Sequence, residues 1–272
     1  MYVIKASGEK EKFNPKKITG TLLRAGASKK LASEIVSKVE KRTHDGTKTR
    51  EILDYALKLL RSEKPEVSAR YDLKRAIMSL GPTGFTFEKF FAEILKHYGY
   101  ETQVGRMVQG KIIRQEVDVT AKKKYVYMVE NKYHNSVGNY TNLKVALYTY
   151  ARFLDLKKHF DFPWLATNTR LSRKARMYAK GVNMKVTSWN YPKDDCLNSL
   201  ITKKKLYPIT ILKSVNDSVK HKFSKENIVL AVNLLDYSLE ELKKKTGISE
   251  KILRKIIDEA RKVCDVKKSK KT

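Results

Sequence analysis

The sequence predicts an α/β protein with helical regions on either side of a strand-bearing centre. Two observations carry this. Residues 112–121 and 125–133 are β-prone runs separated by a short basic turn, and helical stretches at Phe85–Tyr98 and Tyr140–Leu156 flank them. Outside that centre, residues 1–82 and 191–272 are dominated by apolar residues at helical spacing.

The first region opens with an alternating stretch, Tyr2 to Phe13, which reads as a hairpin turning at Ser7-Gly8. Asn14-Pro15 starts a helix, with Asn as N-cap and Pro in the first helical position. A second helix begins at Ser28 with Leu31, Ile35, Val36 and Val39 on one stripe. Thr49 caps a third holding Ile52, Leu53, Ala56, Leu59 and Leu60, and Pro65 opens a fourth running through Leu73, Ile77 and Leu80. Gly81-Pro-Thr-Gly84 punctuates the chain and reads as a linker.

The centre begins with a helix whose Phe87, Phe90, Phe91, Ile94 and Leu95 form a core stripe, with Glu88 off it. A strand near Thr102–Met107 follows, then the hairpin. Alternation puts Asp118 on one face and Val117 and Val119 on the other. A pivot near Lys123 brings Asp118 to the face of Glu130 and Lys132. Two carboxylates supply hard oxygen ligands suited to Mg²⁺, and a lysine beside them can orient a bound water or neutralise developing charge. In so charged a chain the same residues also read as a solvated strand face. His134, just beyond, reads as a general base or as a loop histidine. Phe162–Thr167 is a buried strand, Ser172 caps a basic helix through Lys180, and Val182–Trp189 is a further strand. The basic helix is either a phosphate-contacting face or a solvated one.

The last region starts at Tyr191-Pro192. A helical stretch spans Ile209–Ser214, and the apolar residues from Leu230 to Ile256 keep helical spacing. Ser238-Leu-Glu-Glu241 is a capping box, Thr246-Gly-Ile-Ser249 a turn between helices, and Lys267–Lys271 a basic tail.

Lysine and arginine number 58 against 29 acidic residues, a net charge of +29 spread along the chain. A polyanion, nucleic acid before membrane surface, is the expected partner. No run approaches the ~20 apolar residues of a membrane span, and charged residues interrupt the first dozen positions, so a cytoplasmic protein without membrane association is expected. Cys196 and Cys264 are too few for a four-cysteine zinc site or a disulfide framework.

Two family resemblances follow from these residues. Val3-Ile-Lys5, Gly8, Glu11, Phe13-Asn14, Lys17-Ile18, Gly46, Thr49 and Tyr71-Asp-Leu73 resemble the ATP-cone, a nucleotide-sensing domain, across residues 1–82. The resemblance implies ATP or dATP as regulatory ligand, bound through Val3, Lys5, Glu11, Asn14, Lys17 and Thr49. Asn14 and Thr49 also read as helix caps, and Lys5 and Lys17 as surface lysines. The chain has no G-x-x-x-x-G-K-[ST] loop, so this region senses rather than hydrolyses nucleotide.

The order helix, Asp118 strand, Glu130-x-Lys132 strand, helix resembles the PD-(D/E)xK nucleases, in their Mrr-like restriction endonuclease branch, over residues 84–190. Gly84-Phe-Thr-Phe-Glu88, Tyr98-Gly-Tyr100, Leu165–Ser172 and Val186–Trp189 also carry it. Glu130 stands where many Mrr-like proteins have Gln. The resemblance implies a mixed-sheet, restriction-endonuclease-like core and Mg²⁺-dependent cleavage of DNA. Asp118 and Glu130 would hold the metal, Lys132 assist the water and Glu88 support the site. Residues 191–272 resemble a helix-hairpin-helix DNA-binding module, and equally a plain helical hairpin. A nucleotide-sensing domain joined to a nuclease implies a homo-oligomer whose size or activity adenine nucleotide changes. The reading from another class is a non-catalytic, nucleotide-responsive DNA-binding regulator.

Overall fold

A computed structural model describes residues 1–5, 8–25, 27–64, 73–81, 85–136 and 139–266. Ser7 of the expected turn, the first half of the expected fourth helix, most of the Gly81–Gly84 linker and the basic tail lie outside these residues. The chain divides into two compact units, Met1–Leu73 and Lys74–Cys264, and the second holds both the sheet and the C-terminal helices.

In the first unit, β1 (Tyr2–Ile4) pairs antiparallel with β2 (Lys10–Lys12), Val3 opposite Glu11. Gly8 adopts φ +85°, where a side chain is strained, and its N–H donates to the Lys5 carbonyl at 3.0 Å. Helix α1 (Pro15–Ala25) starts as its sequence dictates: Asn14 Oδ1 accepts from the Lys16 N–H at 3.0 Å. Helix α2 (Lys29–Arg42) is capped by Ser28, which accepts from the Leu31 N–H. The cap of α3 (Thr49–Glu63) falls on Lys48 rather than Thr49, and no side chain bonds there. Thr47 is held by the preceding turn, accepting from the His44 N–H and donating to its carbonyl, so the helix begins one residue earlier than expected. Val3, Leu22, Ile35, Val39, Ile52, Ala56 and Leu60 close one core.

In the second unit, residues 74–78 are helical and Ala76, Ile77 and Leu80 are buried. Helix α4 (Phe85–His97) leads to β3 (Glu101–Gln109), β4 (Arg114–Lys122) and β5 (Val126–Lys132). A short strand β6 (Tyr140–Thr141) takes the residues expected to start the next helix. Asn142 therefore caps α5 (Leu143–Leu156). Then come β7 (Phe162–Thr167), β8 (Arg170–Leu171), α6 (Arg173–Gly181) and β9 (Lys185–Thr187). The five-stranded sheet has order β3-β4-β5-β7-β9, antiparallel as far as β5 and parallel beyond it, so it is mixed. Parallel neighbours need crossovers, and α5 and α6 provide them.

Helices cover both faces. Phe91 of α4 meets Trp164 edge-on at 5.6 Å, and Phe87 stacks on Tyr133 at 5.7 Å. Phe153 and Leu156 of α5 pack with Met128 on the other face. The rest of the chain is helical: α7 (Leu197–Lys204), a 3₁₀ turn at Ile209–Ile211, α8 (Asp217–Lys225), a 3₁₀ turn at Val232–Asp236, α9 (Leu239–Thr246) and α10 (Glu250–Cys264). The helix expected over Ile209–Ser214 is only the first 3₁₀ turn. The capping box at Ser238 and Glu241 forms as expected.

Candidate functional sites

Two clusters of polar side chains emerge. The first is a pocket of about 190 Å³ between the hairpin, α1 and α3, lined by Val3, Glu11, Phe13, Asn14, Lys17, Ile18, Thr21, Thr49, Ile52 and Leu53. Five of the six residues expected to bind nucleotide line it. Lys5 does not, but its ammonium pairs with Glu9 and Glu11 at 3.2 Å each. Glu11 also pairs with Lys17. The two lysines hold the Glu11 carboxyl below its usual range, Lys17 contributing most. Apolar walls with a few convergent charges suit a ligand that is apolar at one end and anionic at the other.

The second cluster lies where β4 and β5 part. Their pairing ends at Val119 opposite Val129, and Asp118 Oδ2 accepts from the Asn131 N–H at 2.7 Å. The strict alternation expected around Asp118 is broken. Val117 packs with Met128, the register partner of Thr120, although the two β4 residues are an odd number apart. Gly105, which falls opposite Asp118 in the β3 register, has φ +65° and interrupts that pairing. The Asp118 carboxylate is thereby turned toward β5 and takes the place of a ladder acceptor.

Asp118, Glu130 and Glu88 are neighbours in charge. Burial and the Asp118 and Glu116 charges push Glu88 up to about 7. Burial and Asp118 push Glu130 up to about 8, against the opposing pull of Arg152. Asp118 is raised by burial, with the Asn131 N–H opposing. Lys132 is exposed, and its charge reaches Glu130 and His134.

The residues missed from the sequence are Arg152 and Glu116. Arg152 Nη1 of α5 donates to Glu130 Oε2 at 2.5 Å, both side chains being largely buried, and the guanidinium lies 4.5 Å from the Tyr148 ring centre. Glu116 could have been read as two residues from Asp118. Nothing local marks Arg152.

The two expected metal ligands, Asp118 and Glu130, are neighbours in charge where β4 and β5 part. Among the described residues no group of three or more His, Cys, Asp or Glu side chains is placed to hold a metal ion. One oxygen of each expected ligand is engaged, Glu130 Oε2 by Arg152 and Asp118 Oδ2 by the Asn131 N–H. The donor chemistry itself, hard carboxylate oxygens crowded enough to resist ionising, fits a hard divalent cation.

His134 is held at both its backbone and its ring. Its N–H donates to Asn168 Oδ1, Asn168 Nδ2 donates back to its carbonyl, and its ring bonds Thr141 Oγ1 at 3.1 Å. Burial and Lys132 lower its pKa, keeping the ring neutral.

The basic helix α6 exposes Arg173, Lys174 and Lys180. In the α9–α10 turn Gly247 is left-handed at φ +60°, the Gly247 N–H donates to the Lys243 carbonyl and the Ile248 N–H to Thr246 Oγ1. Those two amides are bonded internally, which favours the plain helical hairpin over a phosphate-binding turn. The thiols of Cys196 and Cys264 are free and buried, and burial pushes Cys264 up to about 12. Among the described residues no helix is long and apolar enough to cross a membrane.

Comparison with known proteins agrees with the first cluster. The ATP cone domain family matches residues 1–78, and the family described as AF1548-like, C-terminal, matches residues 207–264. An Archaeoglobus fulgidus protein described as uncharacterized is 41% identical over 174 residues, which is 63% of this chain and 98% of the relative. The crystal structure of a protein of unknown function, AF1548, is 38% identical, with a TM-score of 0.61, covering 68% of this chain and all of the other. The chain belongs to the AF1548-like family and carries an ATP-cone domain at its N-terminal end.

Proposed function

We propose that the chain is a nuclease that hydrolyses DNA phosphodiester bonds with Mg²⁺, and that ATP or dATP in the ATP-cone pocket adjusts that activity or the oligomeric state. One observation carries the reading: Glu88, Asp118 and Glu130 sense one another's charge beside Lys132, at the point where two strands part. The order of elements around them supports a PD-(D/E)xK core of the Mrr-like kind. Asp118 and Glu130 would hold the cation, with Glu88 supporting. Bound there, it would supply an activated water and charge stabilisation at the phosphoryl oxygen. Lys132 orients the water and neutralises charge gathering on the phosphate. Arg152, paired with Glu130 Oε2, would have to give up that oxygen for both Glu130 oxygens to face a cation. The exposed lysines and arginines of α6 hold the DNA backbone.

The test is nicking of supercoiled DNA with Mg²⁺ by the native chain and by Lys132→Ala, with and without ATP or dATP, and with sizing of the protein in parallel. Inertness of the native chain on supercoiled, linear, branched and single-stranded DNA would sink the reading. Adenine nucleotides that change neither cleavage nor size would sink the regulatory half. The second reading, a nucleotide-responsive DNA-binding regulator without catalysis, is favoured by the Arg152–Glu130 pair, which already neutralises one of the two expected ligands. DNA binding without cleavage would select it.

A further inference from the structure

Aromatic rings run across the sheet at the end away from Glu130. Tyr127 is the register partner of Phe162, and Trp164 that of Lys185. Ring centres are 5.2 Å apart for Tyr125 and Phe162, 5.9 Å for Tyr127 and Phe162, and 5.4 Å for Tyr127 and Trp164. Tyr100 joins them 6.2 Å from Tyr127. The row grades outward, from Trp164 at 2% exposure to Tyr125 at 40%.

Lysines lie over these rings. Lys185 Nζ is 3.8 Å from the Trp164 centre and 5.3 Å from that of Tyr127. Lys123 covers Tyr100 at 5.4 Å and Lys124 covers Tyr125 at 5.3 Å. Lys123 and Lys124 are exposed in the β4–β5 turn, and Lys123 Nζ also donates to the Tyr98 carbonyl at 3.0 Å. The nearby Asp161 is exposed, and its carboxylate accepts from the Val126 N–H at 2.8 Å, so the backbone holds this acidic group beside Tyr127. A polyanion therefore meets two exposed ammonium groups, those of Lys123 and Lys124, beside ring faces. Exposed aromatic faces next to lysines form the kind of surface on which unpaired bases stack while their phosphates are neutralised. A duplex keeps its bases stacked inside and would leave the rings unused.

We propose that this surface binds single-stranded nucleic acid, with a base against Tyr125 and phosphates at Lys123 and Lys124. It is separate from the acid cluster. Tyr127 faces away from Met128 and Glu130, and lies three residues before Glu130, about 10 Å along the strand.

The experiment uses the full chain with divalent cations chelated, so that its outcome is independent of cleavage. A fluorescent oligothymidylate and inorganic polyphosphate, which carries charge without bases, are the two probes. Tyr125→Ala weakens oligothymidylate binding about tenfold and leaves polyphosphate binding unchanged, while Tyr125→Trp restores the native value. Lys124→Gln weakens both probes and lowers the salt dependence of binding. Oligothymidylate binding by Tyr125→Ala equal to the native chain overturns the proposal. Equal loss of both probes in that variant does so too, because charge alone would then account for binding.

Discussion

The ATP-cone pocket and the acid cluster solve opposite electrostatic problems. At the pocket Glu11 is shared by Lys5 and Lys17 while Glu9 also pairs with Lys5, so two carboxylates meet two lysines and the Glu11 carboxyl is held low. An incoming phosphate competes with Glu11 for Lys5 and Lys17. Where α4 meets the sheet three carboxyls influence one another and are pushed up, and among the described residues Arg152 pairs directly with one of them. A cation is what that group lacks. The difference shows how a chain with a net charge of +29 still builds a local site of the opposite demand: burial keeps the solvent and distant lysines from screening it.

The sharpest way to break the comparison is Lys132→Ala. It is expected to lower Mg²⁺-dependent nicking by about 100-fold or more, as loss of a transition-state charge partner does, while leaving nucleotide affinity at the native value. Gel assays of nicking and calorimetry with ATP check both halves. Lys17→Ala is the reciprocal change. It should weaken ATP and dATP binding about tenfold, the worth of one charge-assisted contact, without altering cleavage measured in the absence of nucleotide.

The raised carboxyls predict a pH effect with a definite sign. A folded-state pKa of about 7 at Glu88, above its ordinary value, means that the folded protein binds the proton more tightly than the unfolded chain. Stability from this group is present below the ordinary carboxylate range and is lost as pH rises through about 7. Glu88→Gln should therefore make the protein more stable at pH 9 by about 1 kcal/mol, after allowance for solvent screening of a half-buried group. It should do little near pH 4. Chemical denaturation at the two pH values measures the difference. The smallest effect is expected at Thr49, which lines the pocket without capping its helix. Thr49→Ala should weaken nucleotide binding only a few-fold and leave thermal stability unchanged.

Much of the N-terminal unit was legible in advance because its determinants are local. Asn14 and Pro15 set the start of α1 within three residues, and Ser28 does so for α2. The apolar stripes of α2 and α3 needed only helical spacing to identify the core. The acid cluster was legible in part. Alternation along the strands does put Met128 and Glu130 on one face, yet it misplaces Val117 relative to Thr120. The break depends on a positive φ at Gly105, thirteen residues earlier in the chain. The two helices Leu197–Lys204 and Asp217–Lys225 were not anticipated, since their short apolar patterns give periodicity little to act on.

By itself the sequence determined the caps at Asn14, Ser28, Ser172 and Ser238, the N-terminal hairpin and the basic excess, because each depends on groups within a turn or two of one another or on composition alone. Tertiary structure alone decided which charges meet. Arg152 reaches Glu130 across 22 residues, and the Asp118 carboxylate turns to the Asn131 amide only because β4 and β5 part beside it. Tyr125, Tyr127, Phe162 and Trp164 become one row of rings, buried at Trp164 and exposed at Tyr125, only when β5 and β7 pair in register. Such pairings follow from packing over long separations, whose register a single strand's periodicity does not encode.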